Sequence, residues 1–381
     1  MDEHMRHRRT WRLLYALNHR WICRKFNLTH EDLHVDGPVL LIPNHQCVWD
    51  PLLVAMSLPD RQVYYVASEH LFRQGAVSKI ISYLVAPIPR RKASSGADTV
   101  KACLRHLRAG HSVCLFAEGE QCWTGRNIPI FSATGKLAKS SGATLVTFRL
   151  EGAYLSLPRW GKGVRRGRVH GHPVGVYPPE LLKTMSAQEV NELIDRDIRE
   201  DVWERQRLDP VSYRGKDRAV GMEQALYLCP RCCRIGTLQT RGDHIFCSCG
   251  LDLEYTETGF FRPEQPFATL ADWDDWQRKK LRSRAFPHAA DPVKPLFSDE
   301  GVTLVRISAG HGEEELASGE LRQFGNRLEC ADYRFPLGEI GNMAAVLTSR
   351  LLFSIGSEYY ELRSRKGVNF RKYLEIWEEQ H

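Results

Sequence analysis

Eight residues, Pro43-Asn44-His45-Gln46-Cys47-Val48-Trp49-Asp50, follow the apolar run Val39-Leu40-Leu41-Ile42. An imidazole with a carboxylate five positions on, where a buried strand gives way to a loop, makes a general base and its orienting partner. Asp50 on one ring nitrogen leaves the other nitrogen of His45 to take a proton from a hydroxyl. Cys47, inside the same loop, is a rival as a covalent nucleophile beside His45. The chain holds 15 histidines, so roughly one such pair is expected by chance, and the surrounding sequence has to decide.

A second group is metal-like. Five of the 11 cysteines fall between Cys229 and Cys249. Cys229-Pro230-Arg231-Cys232 and Cys247-Ser248-Cys249 form two knuckles with short strands between them. Four thiolates so spaced suit a tetrahedral Zn²⁺ in a zinc ribbon, with Cys229, Cys232, Cys247 and Cys249 as ligands. Cys233 is an alternative ligand, and free buried thiols are the alternative to a metal. An all-cysteine site leaves no open position, so the zinc is expected to be structural. The other cysteines are scattered in apolar surroundings, which fits a reducing, cytoplasmic setting.

Between these groups the chain alternates apolar runs at 39–42, 63–67, 113–116, 144–149 and 173–176 with helical stretches at 52–58, 97–109 and 132–141. That alternation predicts an α/β layer with a mostly parallel sheet. Ser186-Ala187-Gln188-Glu189 has the pattern of a capping box and opens a helix expected to reach Gln206. Residues 5–26 read as an amphipathic helix, with Trp11, Leu14, Leu17 and Trp21 at helical spacing and arginines beside them. Such a helix suits an anionic membrane surface, and equally a face packed on the next domain.

Further along, Leu115-Phe116-Ala117-Glu118-Gly119-Glu120 closes a strand on a Glu-Gly turn, and Ile88-Pro89-Arg90-Arg91-Lys92 carries three cations past an apolar segment. Gly142-Ala143-Thr144-Leu145-Val146-Thr147-Phe148-Arg149 follows a helix-like stretch. In this order the blocks resemble the glycerolipid acyltransferases, the family that acylates lysophosphatidic acid and related lysophospholipids. The resemblance covers about residues 30–210 and rests on order and spacing more than on any one block. The departures are Ala117 where Pro is usual, Gln121 where the family places an Arg, and a fourth block without its Pro.

The resemblance implies transfer of an acyl group from a CoA or carrier-protein thioester to the hydroxyl of a lysophospholipid, most simply 1-acylglycerol-3-phosphate. His45 would be the base and Asp50 its partner, with no protein nucleophile. Asn44, Arg90, Glu118 and Gly119 are then the expected substrate-binding positions, with Arg126, five residues past Gln121, as the candidate for the missing cation, and Arg90 carrying the phosphate charge with help from Arg126 or Lys92.

Length and charge set the remaining bounds. A chain of 381 residues is long for one core, so several domains are expected: a helix at 1–30, an acyltransferase domain at 31–210, a zinc ribbon at 225–262 and a β domain at 290–381. The short strands after Pro295 and a closing helix near 369–379 resemble a pleckstrin-homology-like barrel. Leu270–Leu281, with Trp273 and Trp276, reads as a helix connecting ribbon and barrel. No run reaches the roughly 18 apolar residues that span a bilayer, so a lipid substrate would be met peripherally at the membrane face. The net charge of +7 is not focused around the cysteine knuckles, which argues against a nucleic-acid binder. A non-catalytic, lipid-binding adaptor is the main alternative.

Overall fold

Val39–Pro43 is buried at every position, as a strand with helices on both faces must be. In the computed structural model, which describes residues 3–73, 75–90, 96–288, 293–308, 312–365 and 367–381, this run is the centre of a seven-stranded sheet. The chain divides into two units: the first ends at Gly215, and the second holds Lys216–His381 together with Trp160–Lys162.

The first unit begins with α1 (Glu3–Phe26), β1 (Leu28–His30), β2 (Val39–Pro43), α2 (Asp50–Ala55), β3 (Val63–Ser68), α3 (Ala76–Val85) and β4 (Ile88–Arg90). It continues through α4 (Ala97–Arg108), β5 (Ser112–Cys114), α5 (Ala133–Ser141), β6 (Thr144–Glu151), α6 (Ala153–Ser156), β7 (Val169–Tyr177), α7 (Pro179–Thr184), α8 (Ala187–Ile198) and α9 (Val202–Leu208). The strand order is β1-β7-β6-β2-β5-β3-β4. The five strands from β6 to β4 run parallel, whereas β7 is antiparallel to β6 and parallel to β1. The sheet is mostly parallel, as the alternation of strand and helix patterns predicts.

Side chains of β2 alternate between two cores. Val39 and Leu41 join Ile22 and Phe26 of α1 and Leu53 and Val54 of α2, while Leu40 and Ile42 join Cys103, Leu107, Leu137, Val190 and Ile194. Burying both faces leaves the strand ends as the place for chemistry. Because β2, β4 and β5 are parallel, the loops after them emerge along one edge of the sheet, where α/β folds bind ligands.

Two elements differ from expectation. The capping box at Ser186 forms, its hydroxyl accepting from the Glu189 N–H and the Glu189 side chain from the Ser186 N–H. The helix it opens stops at Ile198 rather than running to Gln206, because Asp201 caps a new helix, α9, through the Trp203 and Glu204 N–H groups. No pattern signalled the three-residue β1, which lengthens the sheet edge beside α1.

In the second unit β8 (Leu238–Arg241), β9 (His244–Cys247), β10 (Asp252–Tyr255) and β11 (Phe261–Arg262) make a four-stranded antiparallel sheet. Next come α10 (Leu270–His288), β12 (Phe297–Ile307), β13 (Glu313–Gln323), β14 (Arg327–Cys330), β15 (Tyr333–Pro336), β16 (Ile340–Val346), β17 (Arg350–Ile355), β18 (Glu358–Ser364) and α11 (Arg371–Glu378). Strands β12–β18 form one antiparallel sheet, ordered β15-β14-β13-β12-β18-β17-β16. The sheet is open between β15 and β16 among the described residues, not a closed barrel, since a one-turn helix, Leu337–Glu339, carries the chain from one edge to the other. Phe335 of β15 still packs on Phe353 and Tyr360, with ring centroids 4.9 and 5.3 Å apart, so the two halves face each other.

The residues expected as separate ribbon and β domains lie in this one unit, and α10 is its core rather than a linker. Trp273 is fully buried and donates its indole N–H to the Leu228 carbonyl at 2.9 Å. Gln277 receives the Tyr227 N–H and donates to Ala225 and Asp274. Arg371 of α11 meets Asp274 at 2.7 Å with both side chains buried, an ion pair that tolerates desolvation because its polar atoms are engaged.

Candidate active site

The chain leaves β2 at Pro43 and turns back into α2 at Asp50, so His45 and Asp50 face each other across a one-turn loop. His45 Nδ1 lies 2.8 Å from Asp50 Oδ2. Asp50 is completely buried, while the His45 side chain keeps 16% exposure. The same Oδ2 accepts the Gln46 and Cys47 N–H groups, and Oδ1 accepts the Cys47 thiol at 3.1 Å. An ionised acceptor with this many donors fixes the proton of His45 on Nδ1 and turns Nε2 outward. Nε2 has no hydrogen bond from the protein among the described residues. The ring stacks on Phe116, centroids 4.3 Å apart, which holds its plane.

Cys47 is not equipped to be the nucleophile. It is buried, its S–H points at Asp50, and burial followed by the Asp50 charge pushes the thiol well above its ordinary range. A thiol held protonated is a poor nucleophile.

The residues expected around His45 divide by role. Glu118 is buried, and both oxygens are taken: Oε1 accepts the His45 N–H at 2.8 Å and the Asn127 amide at 2.8 Å, and Oε2 accepts the Ile128 N–H at 3.0 Å. Burial pushes its carboxyl up to about 8, against the pull of those three donors toward the ionised form. Glu118, expected to bind the acceptor, braces the His45 loop through these contacts. Asn44 is likewise a brace. It donates to the Leu150 carbonyl at 2.9 Å and receives the Leu150 N–H at 2.7 Å, tying the loop to the end of β6.

Gly119 has φ near +76°, and a Cβ there would sit 2.1 Å from Cε2 of Phe131. Only glycine serves at that turn. The Phe131 ring in turn carries the Arg90 guanidinium 4.3 Å from its centroid. Arg90 ends β4 on the same sheet edge, half-buried, and burial lowers its pKa from the ordinary value. No carboxylate pairs with it among the described residues, so its charge is available to an anion.

Arg126 does not take the expected place. Its Nε donates to Asp201 Oδ2 at 2.9 Å, an ion pair that holds α9 in place. The other proposed helper, Lys92, and its neighbour Arg91 lie outside the described residues.

Arg159 was not foreseen. It donates to Glu120 Oε2 at 2.7 Å and to the Gln121 carbonyl at 3.0 Å, and lies 3.9 Å over the Trp123 ring. The turn at Gln121 is pinned from outside by an arginine 38 residues away. Cys122 completes the brace, donating its N–H to the His45 carbonyl at 3.0 Å. Phe131, Asn127 and Arg159 have no spacing that could have announced them.

A second constellation lies in the other unit. Cys229 and Cys249 sulfurs are 3.6 Å apart, and those of Cys232 and Cys247 are 3.8 Å apart. All four lie within 4.8 Å of one another, and Cys233 is not among them. Four sulfurs at about 2.3 Å from one tetrahedral zinc would be about 3.8 Å apart, so the spacing fits the metal.

Residues 24–151 match the family model described as Acyltransferase. A chloroplastic 1-acyl-sn-glycerol-3-phosphate acyltransferase of Brassica napus is 25% identical over 130 residues, which is 34% of this chain and 37% of that protein's length. The crystal structure of a 1-acyl-sn-glycerophosphate acyltransferase from Thermotoga maritima aligns with a TM-score of 0.41 at 17% identity, covering 49% of this chain and 76% of that one. The segment that builds the site, from Asn44 through Gly119, lies within this match, which spans about a third of the chain.

Proposed function

We propose that this protein is an O-acyltransferase that moves a fatty acyl group from a CoA or carrier-protein thioester to the hydroxyl of a lysophospholipid, most simply 1-acylglycerol-3-phosphate. The observation that carries this reading is the 2.8 Å contact of His45 Nδ1 with buried Asp50, which leaves Nε2 open. As the acceptor oxygen attacks the thioester carbonyl, His45 Nε2 takes its proton, and Asp50 stabilises the imidazolium. The tetrahedral intermediate collapses, the C–S bond breaks, and the departing thiolate takes the proton back from the imidazolium. Transfer to lysophosphatidic acid but not to the matching monoacylglycerol supports the phosphate assignment. Transfer to neither acceptor, with vesicle binding intact, favours the adaptor.

Arg90 is the cation proposed to hold the phosphate. A guanidinium binds phosphate oxygens in pairs, and Phe131 fixes its plane. Losing charged hydrogen bonds of about 1.5–3 kcal/mol in sum predicts that Arg90→Ala raises the lysophosphatidic acid KM by about ten- to a hundredfold. The acyl-CoA KM should hardly move, because only one substrate loses binding. An unchanged acceptor KM would remove Arg90 from the site.

A peripheral position on a membrane is proposed from the exposed apolar side chains. The structure has no helix long and apolar enough to cross a bilayer among the described residues. Trp11 and Tyr15 of α1 turn inward to the Leu58 and Met56 carbonyls, while Leu13, Leu17 and Trp21 stay exposed on the opposite face. Trp21 packs 5.8 Å from Trp49 of the His45 loop, and Lys25 lies 4.2 Å over Trp49. Val48 and Leu52 add exposed apolar surface beside the catalytic pair. Tryptophans with a lysine at their edge suit the headgroup layer. Ile22 and Phe26 of α1 belong to the core, so deleting the helix would damage the fold. The cleaner variant is Leu17→Glu with Trp21→Glu, which should release protein from anionic vesicles in flotation. Retention on the vesicles would place the membrane surface elsewhere.

The four-cysteine cluster is proposed to hold a structural zinc, and the open seven-stranded sheet with its closing helix is proposed to be pleckstrin-homology-like. The strand order, with the last strand of the sheet beside the first, supports that reading.

A further inference from the structure

A third group of ligating side chains sits where α1 meets β1. His19 and Cys23 are four residues apart on one face of α1. The chain reverses at Asn27, whose φ is near +49°, and β1 brings His30 back against them. His19 Nε2 and His30 Nε2 are 2.8 Å apart, Cys23 Sγ lies 3.7 Å from His19 Nε2, and one donor atom from each residue falls within 4.8 Å of the others. All three side chains are half-buried.

The outer side of the group is arranged as well. His30 Nδ1 lies 3.2 Å from Asp32 Oδ1, and otherwise this buried nitrogen has no hydrogen-bond partner. A carboxylate behind one imidazole nitrogen, with the other nitrogen turned to a shared centre, is how metal-bound histidines are oriented. Tyr15 packs on the His19 ring at 4.8 Å and is itself anchored to the Met56 carbonyl, so His19 has little freedom.

We propose that His19, Cys23 and His30 form a second metal site, which takes a divalent ion of borderline softness, Zn²⁺ in the first instance, with a water in the fourth position. Tetrahedral zinc with Zn–N of about 2.05 Å and Zn–S of about 2.3 Å requires N···N near 3.3 Å and N···S near 3.6 Å. The sulfur distance already meets this, and the two imidazoles need to open by about half an ångström. The mixed N₂S donor set excludes Ca²⁺ and Mg²⁺, which demand oxygen. Bound there, the ion ties α1 to the edge strand β1. It thereby fixes the helix whose other face carries Leu13, Leu17 and Trp21.

The test is a metal count by elemental analysis on the full chain after equilibration with micromolar zinc, comparing wild type with Cys23→Ser and with His30→Asn. Each variant should hold one zinc fewer per chain than wild type, whatever the four-cysteine cluster contributes, because that cluster is unchanged in all three. Zinc added to chelator-stripped wild type should also raise its Tm more than it raises the Tm of either variant. If a variant fails to give a folded circular-dichroism spectrum, His19→Gln takes its place. Equal zinc in wild type and variants overturns the site and leaves a histidine pair joined by a simple hydrogen bond.

Discussion

Asp50→Asn is expected to lower kcat for acyl transfer by about 10³–10⁴-fold, the scale on which an orienting carboxylate matters in a serine-hydrolase triad. The fold should survive, because an asparagine oxygen in the place of Oδ2 still accepts the Gln46 and Cys47 N–H groups. What disappears is the charge that stabilises the imidazolium at the moment of proton transfer. KM values for both substrates should stay near wild type, since Asp50 is fully buried and reaches substrate only through His45. Cys47→Ala is the companion measurement: a direct-transfer mechanism predicts near-normal turnover, whereas a covalent one predicts its loss. An Asp50→Asn enzyme with wild-type kcat would mean that the pair orients nothing.

Cys229→Ser should remove one zinc per chain and unfold the sheet β8–β11. That sheet buries only a handful of large side chains, among them Ile245, Leu253, Tyr255 and Phe261, the last packed on Trp273 of α10, and so small a contribution leaves the two cysteine knuckles dependent on a staple. Zinc bound by such peptides is worth about 10–16 kcal/mol, which becomes folding energy when the site exists only in the folded state. Trp273 should report the loss, because its indole N–H is held by the Leu228 carbonyl, one residue from Cys229. A blue-to-red shift in its fluorescence, alongside elemental analysis, gives the readout. His45 belongs to the other unit, so its chemistry should persist. Full zinc content in this variant would rule out Cys229 as a ligand.

The legible parts of this molecule are those written in local pattern. The run Val39–Ile42 predicts a two-faced buried strand, Ser186 with Glu189 predicts a helix start, and His45 with Asp50 predicts a loop pair; each depends on residues within a few positions. Roles set by distant partners were not legible. Glu118 and Asn44 read as substrate ligands through the resemblance, yet the contacts that tie them to the His45 loop and to Leu150 span 73 and 106 residues of sequence. Arg126 reads in sequence as a spare cation, and its ion pair with Asp201, 75 residues on, is invisible there. The two faces of α1 were only half legible, because tryptophan spacing cannot say that Trp11 finds the Leu58 carbonyl while Trp21 meets Trp49. Long-range hydrogen bonds leave no period in a sequence, and they are what hold the His45 loop.

The role of His45 as the base that activates the acceptor hydroxyl is open to a direct test: purified wild type and His45→Ala are incubated with labelled acyl-CoA and lysophosphatidic acid, and label is followed into the diacyl product. Wild type should form product steadily and His45→Ala none above background, with matching circular-dichroism spectra. Equal product from both proteins would contradict it.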